Sequence, residues 1–141
     1  MTKTSPRRKA LTALFSVLAL VGVGGSVLAG QKTESTVSIT VGATSSTASG
    51  ALGTARASAD TNQMISCTIT GLTTANNVNC SARDAAGNFL SCTANSGAAF
   101  LAEAVGGIGP NSRLYFVVEN ATGKCTQINS TNGSQYKPVV P

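Results

Sequence analysis

The amino-acid sequence predicts an α+β domain that is mostly β, with an antiparallel sheet of about five or six strands built from hairpins, one short helix and two disulfides. Three observations predict it. Short runs alternate apolar and polar residues with the period of two of a half-buried strand, as in MISCTIT, Met64 to Thr70. Clusters of Gly, Asn and Asp stand between these runs, where side chains that bond the local backbone or tolerate left-handed conformations let a chain turn. Four cysteines, an even number, are spread between Cys67 and Cys125.

Residues 1–29 read as a secretory signal peptide. A basic head (Lys3, Arg7, Arg8, Lys9) precedes an apolar stretch from about Ala10 to Val23 and the small-residue exit Val27-Leu28-Ala29. Gly22, Gly24 and Gly25 interrupt the apolar run before it reaches the roughly twenty residues of a membrane span, so no stable anchor is expected after cleavage. The expectation is export through the general secretory route to the periplasm or the extracellular space. The net charge of +5 then belongs mostly to the leader. Beyond it, six cations (Lys32, Arg56, Arg83, Arg113, Lys124, Lys137) face five carboxylates (Glu34, Asp60, Asp84, Glu103, Glu119), which leaves about +1. Cations scattered singly do not build the clustered positive face that phosphate binding needs, so no nucleic-acid partner is expected.

Residues 30–62 are mostly Ser, Thr, Gly and Ala. One strand is expected there, over TVSITV (Thr36 to Val41), where Val37, Ile39 and Val41 alternate with polar residues. The following GATSSTASGALGTA has little to bury and reads as a loop or a loose extension. Arg56 and Asp60 stand four apart, and on a helix they could pair, in the weaker of the two orders.

Residues 63–141 carry the stapled β-rich domain. Its strongest local signal is NCSARDAAGNFLSC, Asn79 to Cys92. With Asp84-Ala85-Ala86-Gly87 as a type I turn and Gly87 as the bulge residue, Asp84 pairs with Asn88, Ala82 with Leu90 and Cys80 with Cys92. MISCTIT folded back through the loop Gly71–Asn76 sets Cys67 opposite Cys80. Three cysteines then lie in a row on adjacent strands, and Cys67 is too far from Cys92 for a disulfide. Two pairings remain, Cys67–Cys80 with Cys92–Cys125, and Cys80–Cys92 with Cys67–Cys125. Counting from the turn puts Cys80 and Cys92 on a hydrogen-bonded pair, where side chains stand further apart, which favours the first.

After this hairpin, Ser96 can cap a short helix, GAAFLAEAV, with Phe100, Leu101 and Val105 inward and Gly106-Gly107 ending it. RLYFVVE (Arg113 to Glu119), the turn Asn120–Gly123 and KCTQIN (Lys124 to Asn129) form a second hairpin. Aromatic residues past the leader are few (Phe89, Phe100, Tyr115, Phe116, Tyr136), and the chain has no tryptophan, so the core is small and leans on its staples.

The chain has no histidine, which excludes Ser-His-Asp and Cys-His catalysis. The cysteines lack the close pairs of a zinc site, and no metal or other cofactor is expected. Ser134-Gln135-Tyr136-Lys137 matches S-x-x-K only by letter, since Pro138 follows and no partner motif accompanies it. Asn79, Asn120, Asn129 and Asn132 each open an N-x-S/T triplet and read as solvated polar side chains, three of them in Asn/Ser/Thr-rich turns. Arg83 and Asp84 are the candidate binding residues, an arginine offered to a partner beside an aspartate that suits the first position of a turn.

The strings ARASADTNQMISC (Ala55 to Cys67) and CSARDAAGNFLSC (Cys80 to Cys92) resemble a pattern of small exported bacterial proteins that contain disulfides and have no known activity. The resemblance implies export and disulfides and no mechanism. The expected function is that of a non-enzymatic secreted or periplasmic protein that binds another macromolecule at the envelope or outside the cell. A structural or surface-coat component and a carboxylate-dependent hydrolase using Asp60, Asp84 or Glu103 are the alternatives.

Overall fold

The computed structural model of the protein describes residues 32–71, 76–94 and 99–138. The leader expected over 1–29, the body of the Gly71–Asn76 loop, the Ser96 cap and the Phe100 side chain lie outside the described residues. The chain runs β1 (Ser38–Val41), β2 (Ser45–Ala51), α1 (Leu52–Arg56), β3 (Met64–Gly71), β4 (Asn76–Arg83), β5 (Phe89–Ala94), α2 (Ala99–Gly106), β6 (Ser112–Glu119) and β7 (Lys124–Asn132). The seven strands form one sheet in the order β1-β2-β6-β7-β5-β4-β3.

Two antiparallel blocks make up this sheet, and their join departs from the expected antiparallel pattern. One block is β1, β2, β6 and β7, and the other is the meander β3-β4-β5. They meet where β5 runs parallel to β7 through the single pair Thr93↔Lys124. The parallel contact follows from the connection after β5: the chain passes through α2 to β6, beyond β7, and β7 then returns alongside β5. The Thr93 N–H donates to the Gly123 carbonyl at 3.1 Å beside the join.

The strand count exceeds the expected five or six because residues 30–62 supply two strands and a helix instead of one strand. The stretch expected to be loop is β2, paired on both sides, with Ala48↔Ile39 neighbours in β1 register and Ala48↔Phe116 across to β6. Its inward residues Ser46, Ala48 and Gly50 are buried. They are small because the sheet curls there: residues of β2 come within 8 Å of β3 and β5, and residues of β1 within 8 Å of β4, although these strands stand far apart in the sheet order. Large side chains on β2 would force the two walls apart.

Alternation decides which residues fill the enclosed space. On β6, Ser112, Leu114, Phe116 and Val118 are buried, with Leu114 and Phe116 fully so. On β4 the inward set is Val78, Cys80 and Ala82, and on β5 it is Cys92 and Ala94. β7 breaks parity: a bulge between the Val117↔Gln127 and Val118↔Cys125 pairs adds one residue, so Cys125 and Ile128 both face the core. Helix α2 buries Leu101 and Val105, as the sequence suggests. Its end is tied to β7 by Ser130 Oγ donating to the Ala104 carbonyl at 2.7 Å and Asn132 Nδ2 to that of Gly107 at 2.6 Å. These bonds satisfy carbonyls that a helix end leaves without partners.

The cysteines pair as Cys67–Cys80 and Cys92–Cys125, with Cα separations of 4.0 and 5.0 Å. One cysteine stands on each of β3, β4, β5 and β7, four successive strands of the sheet. The sulfurs of Cys80, Cys92 and Cys125 lie within 4.8 Å of one another, so pairing was decided among near neighbours. The Asp84 N–H donates to the Asn88 carbonyl at 3.1 Å. This fixes the phase: Cys80↔Cys92 is a hydrogen-bonded pair and Cys67↔Cys80 the closer, non-hydrogen-bonded kind. Proximity and phase agree with the bridge that forms.

Candidate functional site

The site is built outward from the β4-β5 turn. The Gly87 N–H donates to the Asp84 carbonyl at 3.0 Å, and Gly87 has φ of 88°, a left-handed conformation that a side chain would strain. Asp84 holds the same turn with both oxygens. Oδ1 accepts the Asn88 N–H at 2.9 Å and Oδ2 accepts Asn88 Nδ2 at 2.9 Å. The Asn88 amide, foremost among these donors, lowers the Asp84 pKa below its ordinary 3.8. Asp84 therefore shapes the turn, while Arg83 projects from the opposite face.

Arg83 is paired with Phe89 across β4 and β5. By the phase set above this is a non-hydrogen-bonded pair, in which side chains approach closely. The guanidinium carbon lies 5.6 Å from the centroid of the Phe89 ring, a cation over an aromatic face. Phe89 is nevertheless 54% exposed, so an aromatic ring is held in place at the surface without being covered. Counting two residues past Gly87 places Phe89 opposite Arg83 from sequence alone. The scarcity of aromatic residues argues instead for the core, which is why Phe89 is absent from the candidate binding residues that the sequence offers.

Beyond this pair the outer face of the meander is a grid of small polar side chains. One cross-strand row is Ser66, Ser81 and Ser91, and the next is Thr68, Asn79 and Thr93. Ser66, Thr68, Thr70, Asn79, Ser81, Ser91 and Phe89 line an open groove of about 500 Å³. Ser66 Oγ and Ser81 Oγ share a hydrogen bond at 3.3 Å. Directly beneath, on the inner face, Cys67 lies between Ser66 and Thr68, and Cys80 between Asn79 and Ser81. The disulfide thus fixes the spacing of the two strands that floor the groove.

A second groove, of about 490 Å³, runs between the chain entering β1 and the segment after α1, and brings Glu34, Asp60, Gln63 and Lys137 to one place. Asp60 is tied into its own turn. Its Oδ1 accepts the N–H groups of Asn62 (2.9 Å) and Gln63 (2.7 Å), and its Oδ2 accepts Gln63 Nε2 at 2.6 Å. The Gln63 side chain, first among these donors, brings the Asp60 pKa down to about 2. A general acid needs the opposite shift. Helix α1 ends at Arg56, so Asp60 is not on the helix that the four-residue spacing with Arg56 would require. Glu103 is exposed on α2.

Together these features define a class, a disulfide-stapled, curled β-sheet domain with an exposed arginine-aromatic pair on its outer face. Comparison with protein-family models, curated proteins and solved structures finds no match to this chain. Among the described residues no helix is long and apolar enough to cross a membrane.

Proposed function

We propose that the protein is a non-enzymatic binding domain that acts at the cell envelope or outside the cell and engages another macromolecule through the outer face of β3-β4-β5. The observation that carries this reading is Phe89, 54% exposed and stacked under Arg83 on a scaffold fixed by two disulfides. Aromatic and arginine side chains dominate binding energy at interfaces, and a surface already rigid loses little entropy on docking. The test is to immobilise the full mature chain and the double variant Arg83→Ala/Phe89→Ala and expose both to cell-envelope and culture-fluid fractions. Retention of a macromolecule by the first and not the second is expected. Equal retention, or none, overturns the reading.

A second reading, a structural or coat component, draws support from the sheet ends. β3 is an edge strand of eight residues with no charge and no proline, the features that usually block edge-to-edge pairing. Concentration-dependent assembly on size-exclusion chromatography would favour it over the first.

A further inference from the structure

Resting on the binding role proposed above, we infer that the groove across β3, β4 and β5 takes an uncharged polysaccharide, laid over the hydroxyl and amide grid with Phe89 as its apolar platform.

The groove lining carries no charged side chain. Arg83 stands at the Phe89 end and is engaged with that ring, so nucleic acid or a densely charged protein surface would meet a counterpart at the rim and none along the lining, whereas a neutral glycan presents what this surface matches. Sugar rings carry dense hydroxyl groups that both donate and accept, together with apolar C–H faces. Ser, Thr and Asn side chains likewise donate and accept, and an exposed phenyl ring suits a C–H face. Among the described residues, the side chains of Thr68, Thr70, Asn79 and Ser91 make no hydrogen bond within the chain, so their bonding capacity points outward.

Spacing adds to this. Strands about 4.8 Å apart, with same-face residues about 6.7 Å apart along each, repeat the polar groups regularly. A polymer with a regular hydroxyl repeat can meet several of them at once. The Cys67–Cys80 bridge beneath β3 and β4 holds that lattice before the ligand arrives, and Arg83 fixes the ring orientation. The near-neutral mature chain imposes no long-range field against a neutral ligand or in favour of a charged one.

The experiment is affinity electrophoresis and amide chemical-shift mapping of the full mature protein. The probes are cello-oligosaccharides, chito-oligosaccharides and dextran, with heparin as the charged comparison. Binding to at least one neutral probe is expected, with little dependence on salt and shifts centred on Thr68, Asn79 and Ser91. Phe89→Ala should weaken it about tenfold, Phe89→Tyr should preserve it, and Gln127→Ala, on β7, should leave it unchanged. Unaltered melting temperatures show that the variants fold, and Phe89→Tyr keeps the test valid if Phe89→Ala does not fold. The inference is overturned if no neutral probe binds, if binding ignores Phe89→Ala, or if only heparin binds and salt abolishes it. Should the retained macromolecule of the preceding test depend on Arg83 and Phe89 yet be destroyed by protease, the glycan assignment fails and the binding role stands. Should nothing be retained and no glycan bind, both fail.

Discussion

Gln63 accepts the backbone N–H of Val37 through Oε1 at 2.9 Å, while its Nε2 is held by Asp60 at 2.6 Å. Val37 is 5% exposed, so this side chain satisfies a backbone donor that has little access to water and tethers the entry to β1 to the loop before β3. Gln63→Ala should leave that donor without a partner and cost about 1–3 kcal/mol. Urea denaturation of the variant checks it; an unchanged midpoint would mean that another acceptor takes over.

The same network gives stability a defined pH dependence. Asp60 has a folded pKa of about 2 against an ordinary 3.8, because Gln63 and Asn62 donate to its ionised form. A depressed carboxylate pKa contributes stability that is fully present above the ordinary value and is lost as pH falls through the folded one. Wild type should therefore melt above Asp60→Asn at neutral pH, and the gap should narrow from about pH 4 and close near pH 2. Parallel melting curves from pH 7 to pH 2 test this, and a constant gap would contradict it.

The disulfides are unequal. Cys92–Cys125 closes a sequence separation of 33 and Cys67–Cys80 one of 13. On loop entropy, their removal should cost about 4 and about 3 kcal/mol respectively. The first loss should also open the join between the two blocks, where apart from this disulfide β5 and β7 share the single register pair Thr93↔Lys124. Denaturation of Cys92→Ala/Cys125→Ala should show a lower midpoint than that of Cys67→Ala/Cys80→Ala. Amide exchange at Thr93 should rise in the former alone.

Gly53 lies directly under the chain at Lys137 and Pro138, where a Cβ would fall inside the space of the Lys137 carbonyl. Gly53→Ala should cost about 1–3 kcal/mol by forcing backbone apart. It should also speed amide exchange at Thr33, which donates to the Gln135 carbonyl in the same tail. A variant with wild-type stability would show that the tail does not press on α1.

Much of the meander was legible in the sequence because its information is local. The turn at Gly87 sets the register, period-two alternation assigns Ile65, Cys67, Val78, Cys80 and Cys92 to one face, and hydrogen-bond phase then selects the disulfides. The second hairpin and the buried Leu101 and Val105 of α2 were legible for the same reason. β2 was not, because SSTASGA carries no contrast between apolar and polar residues. It is a strand by virtue of its neighbours β1 and β6 and of a curl that admits only small side chains. The parallel join likewise depends on where α2 delivers the chain. At the candidate site, Arg83 and the turn role of Asp84 could be read locally. Phe89 could have been found by the same count, but scarcity of aromatics argued for the interior.

The placement of β2 against β6 bears on how the molecule assembles. Ser46 Oγ reaches Asn120 Oδ1 at 2.7 Å across 74 positions of sequence, whereas β3 pairs with β4 and β4 with β5, each the next strand along the chain. Closing a long loop is entropically slow, and nearby partners meet first. The amino-terminal strands are thus expected to dock last, onto a nucleus already formed, which leaves the β6 flank uncovered for a time and makes it the point of greatest exposure to aggregation during maturation.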